Sequence, residues 1–247
     1  MKISSQVPYL ILLGNLPRSG TTLVQRLLNS SPDCKIYGDH LAREVEGFLG
    51  NLFMRWPSIE MIAQRSAALP EQDFFTADLV PPIVRQEQAW KDSLASLLEG
   101  FFVDEQTRVK GWKVAGPISQ LVPHLTKWLP PCKFILLTRS LEGCLRSGKT
   151  AQMIDGAESA QQWAQLDREN RLAFQALVDS EVPTLSLNYE QAVQEPVRTT
   201  SLLEEFSGLT ALEQSVWSRK MNSPLHAGYE SPTPLSSAEQ EILPQVA

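Results

Sequence analysis

The sequence predicts an α/β fold, a P-loop-like parallel sheet flanked by helices on both faces, with further helices inserted beside it. Three observations predict it. Short runs of strand length recur at Tyr9–Leu13, Phe134–Leu137 and Thr184–Leu187, bounded by proline, glycine or polar turn residues. Stretches with apolar residues at helical spacing follow them. The first run passes into its helix through a loop of small residues, an arrangement that gathers backbone N–H groups around an anion.

Composition narrows the function classes. At 247 residues, with 43% hydrophobic and 20% charged residues, the chain is expected to bury its core as one domain spanning 1–247. A net charge of −6 argues against nucleic acid or an anionic membrane as partner, because both are held by Lys and Arg against phosphates. Cys34, Cys132 and Cys144 lack metal-ligand spacing, which points to a reducing compartment and to core packing. No run reaches the roughly eighteen apolar residues of a membrane span, and the first apolar run is too short for a signal peptide. A cytoplasmic protein is expected.

The first element pair is YLILLGNLPRSGTTLVQRLL, Tyr9–Leu28. Tyr9–Leu13 reads as a buried strand, Asn15–Ser19 as a loop, and Leu23, Val24, Leu27 and Leu28 as one face of a helix. The loop and the positive end of the helix dipole favour an oxyanion. Gly20 lets backbone approach it closely, Arg18 brings a planar charged fork, and Thr21 and Thr22 bring hydroxyl donors. Nucleoside triphosphatases place four residues between the two glycines of such a loop and follow the second with Lys. Here five residues separate Gly14 from Gly20, and Thr21 stands where that lysine would be.

Asn29–Asp33 is a turn, Lys35–Tyr37 a short second strand, and Gly38 a bend. Asp39 is placed to cap a helix carrying Leu41, Val45, Phe48, Leu49 and Leu52. His40, one of three histidines, is suited to proton transfer near neutrality or to a satisfied structural position. Met54–Val103 holds Trp56, Phe74, Phe75 and Trp90 between proline turn signals, with helical spacing from Ile83 through Leu94, Leu97 and Leu98. Helices inserted beside the sheet are expected there, either as core or as cover for an acceptor site. Arg108–Pro117 reads as a strand opening into a turn, with Lys113 near its end, where strands of open α/β sheets line the ligand crevice.

Phe134–Leu137 is a buried strand that leaves Arg139 at its carboxyl end. Leu141, Leu145 and Gly148 continue as a helix, and Ser147 lies two helical turns beyond Arg139, able to return toward the same anion. Gln161–Val178 is an amphipathic helix with Trp163, Leu166, Phe174 and Leu177 on its apolar side. Thr184–Leu187 leads into Tyr189, which either packs or reaches a ligand. Val197–Phe206 is a helix stopped near Gly208. Asn222–Ala247, rich in Pro, Ser and Gly, either folds over the site or stays mobile.

PRSGTTL resembles the 5′-phosphosulfate loop of sulfotransferases that use 3′-phosphoadenosine 5′-phosphosulfate, PAPS, with the tyrosylprotein sulfotransferase branch and its bacterial relatives nearest in motif. The resemblance implies the sulfotransferase fold with helical insertions. It implies that Arg18, Ser19, Gly20, Thr21 and Thr22 hold the 5′-phosphosulfate. Arg139 and Ser147, at the family's spacing, would grip the 3′-phosphate, and Tyr189 would help hold the nucleotide. His40 falls where that branch carries its catalytic Glu, with Asp39 on the preceding acid, which implies His40 as base. Lys113 approximately matches a lysine that contacts the transferring group. PAPS would be the donor and 3′-phosphoadenosine 5′-phosphate, PAP, the product, without metal, and the acceptor a small hydroxylated molecule, as in natural-product tailoring. A P-loop kinase and a catalytically silent nucleotide-binding protein are the alternatives. The kinase reading lacks the lysine after Gly20.

Overall fold

Six consecutive buried residues, Tyr9–Gly14, make the middle strand of the sheet, β1. In the computed structural model, which describes residues 9–38, 41, 44–45, 47, 83–102, 106–118, 122, 129, 131–218 and 233–243, it is joined by β2 (Cys34–Tyr37), β3 (Val109–Val114), β4 (Cys132–Thr138) and β5 (Thr184–Asn188). The order is β2-β3-β1-β4-β5, and every pairing is parallel. A parallel sheet covered on both faces needs apolar residues on both, which is why β1 and β4 read as unbroken apolar runs rather than as alternating ones. Gly111 allows β3 to lie close to β1, since a Cβ there would fall 1.7 Å from the Leu10 carbonyl oxygen.

On one face Ile11, Leu13, Trp112, Phe134 and Leu136 pack against α2 (Ile83–Phe101) through Leu94 and Leu98, and against α4 (Ala157–Val178) through Phe174 and Leu177. On the other, Leu10, Leu12, Ile36, Ile135 and Leu137 meet α1 (Thr21–Leu28), Leu203 of α6 (Pro196–Ser207) and Val216 of a 3-10 turn (Gln214–Ser218). A third cluster lies beyond the carboxyl ends of the strands. There Leu16 meets Leu141, Cys144 and Leu145 of α3 (Leu141–Thr150), Ala160 and Ala164 of α4, and Leu235 and Ile242 near the C-terminus.

The chain adds β2 and β3 on one side of β1, then crosses to add β4 and β5 on the other. Loops leaving neighbouring strands at such a reversal diverge and open a crevice outside their carboxyl ends. That crevice is where Arg18 and Arg139 emerge.

Two expectations are refined. The buried stripe of α4 is Ala160, Ala164, Asp167, Asn170, Ala173, Phe174 and Leu177, whereas Trp163 and Leu166 are only half-buried. From Ala160 to Asn170 the deep positions are small or polar, because the helix there crosses the strand ends and bonds to them, and Phe174 and Leu177 continue the stripe against the sheet. The described part of the C-terminal stretch, 233–243, packs on α3: α7 (Ser237–Gln240) carries a Ser236–Glu239 capping box, the buried Glu239 carboxylate receives the Lys149 ammonium at 2.6 Å, and Thr233 meets Thr150 at 3.1 Å.

The three cysteines are free thiols. Burial pushes each up to about 12, so they are inert where they stand. Among the described residues no helix is long and apolar enough to cross a membrane.

Candidate functional site

The loop from Asn15 to Gly20 leaves β1 and folds back on itself, with the Ser19 N–H donating to the Leu16 carbonyl at 3.2 Å. Leu16 is fully buried and anchors the turn from below. Arg18 adopts a left-handed backbone, φ 70°, and Gly20 another, φ 102°. The first is uncommon for a residue with a side chain and is held only where surroundings over-determine it. The second is natural for glycine. Gly20 is the N-cap of α1 and offers no side-chain cap, and no acidic residue lies in the first turn. The leading N–H groups of α1 therefore have no intrahelical acceptor, and the positive end of the helix dipole stands uncompensated by any acid there.

Arg139 sits immediately past β4. Its Nη1 donates to the Arg18 carbonyl at 2.9 Å, and its guanidinium lies 4.3 Å from the centre of the Tyr189 ring. Tyr189, the first residue of α5 (Tyr189–Gln194), also covers Gly20: a Cβ on Gly20 would meet its ring at 2.3 Å. Arg18 Nε donates to Ser147 Oγ on α3 at 3.1 Å. Residues 18, 139, 147 and 189, spread over most of the chain, thus form one constellation around the loop.

Three buried polar atoms here lack a partner: one acceptor, Glu190 Oε2, and two donors, Ser19 Oγ and Arg139 Nε. Unsatisfied buried donors are rare and call for a ligand or another explanation. With two guanidinium groups and the end of α1, the unpaired Arg139 Nε fits a polyanionic ligand, whereas Ser19 Oγ is turned in against Gly14. Ser19 itself is fully buried, Thr21 nearly so, and Thr22 half-buried. Their contribution to an anion therefore falls more on backbone at Gly20 to Thr22 than on the Ser19 and Thr21 side chains.

Lys113 is 7% exposed at the end of β3, on the sheet face that α1 covers, its Cα paired with Leu12. His40 and Asp39 lie outside the described residues. Among the described residues no cluster of His, Cys, Asp and Glu is placed to hold a metal ion.

Several residues of the site were not singled out from sequence. Glu190 accepts from the Ser140 N–H at 3.0 Å and the Ser140 hydroxyl at 2.8 Å, while Ser140 caps α3. Burial would raise the Glu190 carboxyl, but the Ser140 bonds and the charge of Arg139 outweigh it and hold the group below the usual carboxylate range. Asn15, Asp167, Asn170 and Arg171 form a network behind the loop. Its sequence signal was the placement of Asp167 and Asn170 in register with Ala160, Ala164, Phe174 and Leu177, two polar residues in a buried stripe.

A model described as the Sulfotransferase family matches residues 8–214, and the chain belongs to that family. Its fold is similar to the solved sulfotransferase domain of the Synechococcus PCC 7002 olefin synthase, at 15% identity and a TM-score of 0.54, covering 99% of this chain and 97% of that one. The sulfotransferase domain from the curacin biosynthetic pathway is similar at 17% identity and a TM-score of 0.53, covering 98% of each. Sulfotransferase STF1 from Mycobacterium tuberculosis H37Rv is similar at 16% identity and a TM-score of 0.50, covering 98% of this chain and 77% of that one. Comparison with curated proteins gives no match.

Proposed function

We propose that this member of the sulfotransferase family moves the sulfuryl group of PAPS to the hydroxyl of a small-molecule acceptor. The observation that carries the proposal is the meeting of Arg139 and Ser147 at Arg18: Arg139 bonds its carbonyl at 2.9 Å and Ser147 its Nε at 3.1 Å. These three residues come from motifs more than a hundred positions apart, and they meet where the strand order reverses.

In this reading Arg18 and the backbone of Ser19 to Thr22 hold the 5′-phosphosulfate, and Arg139 with Ser147 holds the 3′-phosphate. Tyr189 stands against the nucleotide. His40 takes the acceptor hydroxyl proton as the acceptor oxygen attacks sulfur in line. The bond from sulfur to the bridging oxygen breaks, its electron pair stays on the departing phosphate, and Lys113 and Arg18 stabilise the charge that develops there. Sulfuryl transfer needs no metal in this scheme. The solved domains from an olefin synthase and the curacin pathway make hydroxylated small molecules of natural-product type the first acceptors to try.

Calorimetric titration with PAP and with ATP, without added metal, tests the donor class. Micromolar binding of PAP, about −8 kcal/mol, lost in Arg139→Ala, is the expected result. Preference for ATP, strengthened by magnesium, would overturn it in favour of a kinase. His40→Ala then separates an enzyme from a silent nucleotide binder: PAP binding is expected to survive while transfer falls by about a hundredfold or more.

A further inference from the structure

Asn15 is 0% exposed, and every polar group it carries is engaged. Its backbone N–H donates to the Leu137 carbonyl of β4 at 2.9 Å. Its side-chain oxygen accepts the Arg139 N–H at 3.0 Å, and its Nδ2 donates to the Arg139 carbonyl at 3.0 Å and to the Asp167 carboxylate. Its own carbonyl accepts from Asn170 Nδ2 at 2.8 Å. Asn170 also bonds the Gly116 carbonyl at 2.8 Å and the Ile118 N–H at 2.9 Å, beyond β3. Arg171 closes the circuit, donating through Nε to Asp167 at 2.8 Å and through Nη2 to the Arg139 carbonyl at 3.0 Å.

One helix, α4, thus ties together the exits of β1, β3 and β4. Burying an asparagine and a carboxylate in the apolar stripe of a helix is costly unless both are fully bonded, and a fully bonded network fixes one arrangement where an apolar contact would tolerate several.

We infer that the Asn15–Asp167–Arg171 clasp is a positioning device that sets the separation of two anion subsites, one at the Arg18 loop and one at Arg139, and so selects ligands carrying two anionic groups over ligands carrying one. The inference rests on the assignment of those subsites under the proposed function. Asn15 stands three residues before Arg18, and both hydrogen-bonding faces of its amide grip the backbone of Arg139 itself. Two anions on one ligand reinforce each other only when their sites are held at the ligand's own spacing, because the second contact is then made at high effective concentration. A loosened clasp leaves each subsite able to bind an anion and removes the reinforcement.

The test is the selectivity ratio, the Kd of adenosine 5′-monophosphate divided by that of PAP, measured by calorimetry on the full chain. Wild type is expected to prefer the bisphosphate. Asn15→Ala is expected to reduce the ratio about tenfold or more, with monophosphate affinity within about threefold of wild type. Arg171→Gln should reduce the ratio several-fold. Because the Arg171 side chain is 43% exposed, this variant keeps the test open if Asn15→Ala fails to fold. Equal weakening of both ligands in both variants would mean general loosening and would overturn the positioning role. Wild type that binds no PAP would instead overturn the donor reading, and the inference with it.

Discussion

Tyr189 shows how one side chain couples distant parts of the site. Its ring covers Gly20 on one side and meets the Arg139 guanidinium at 4.3 Å, so it touches both candidate anion subsites. Gly20→Ala would put a Cβ 2.3 Å from that ring, on a backbone with φ 102°. The backbone strain alone costs about 1 kcal/mol or more, and the ring must also move. A lower Tm together with weaker PAP binding is expected; an unchanged Tm would contradict the geometry. Glu190 offers a pH-dependent counterpart. Because the fold lowers its carboxyl from the ordinary 4.5, the ionised group contributes stability that is complete above that value and lost as pH falls through the lowered one. Glu190→Gln should therefore lower Tm at neutral pH, and the gap to wild type should close in acid. A gap that is the same at neutral pH and in acid well below the ordinary carboxylate range would remove Glu190 from this role.

The helix α3 is the element on which the site most depends, since it carries Ser147 toward Arg18 and begins one residue after the Ser140 cap. Its far side is held by the C-terminal segment. Leu235 and Ile242 share its apolar cluster, and Lys149 reaches the 1%-exposed Glu239 side chain. The Lys149 ammonium, then the Ser236 N–H and hydroxyl, outweigh burial and hold the Glu239 carboxyl below its usual range. Lys149→Met would strand that carboxylate and is expected to cost about 2–3 kcal/mol. For a chain of this length, that is a fall in Tm of about 2–4 °C for each kcal/mol, read by thermal denaturation. Lys149→Arg should restore most of it. If Lys149→Met melts like wild type, the C-terminal segment does not brace α3. The element scale also shows what the period of α4 left out: Trp163 and Leu166 do pack on its apolar side, half-buried, while next to the strand ends the deepest positions are alanines and the bonded Asp167 and Asn170.

Across the whole molecule, the strand order β2-β3-β1-β4-β5 puts the two arginine-bearing strand exits side by side in space though 121 residues apart in the chain. The sequence by itself determined the strands and helices that bracket the site, because each is signalled by a local period. Tyr9–Leu13 was expected and Tyr9–Gly14 is found; Phe134–Leu137 was expected and Cys132–Thr138 is found. It also marked Arg18 and Gly20, since the chemistry of holding an anion restricts which residues can stand in such a loop, while Arg139, Ser147 and Tyr189 were marked chiefly by the resemblance to sulfotransferases. What only the tertiary structure decided is how these residues meet. That Arg18 bends to Ser147, that Tyr189 lies over Gly20, and that Asn15 clasps Arg139 under the control of Asp167 are long-range pairings with no local period to announce them. Asp167 and Asn170 had a period, but the wrong chemistry for it. A buried polar side chain becomes intelligible only when its partners are known, and those partners are the backbone ends of three strands that the fold alone brings together.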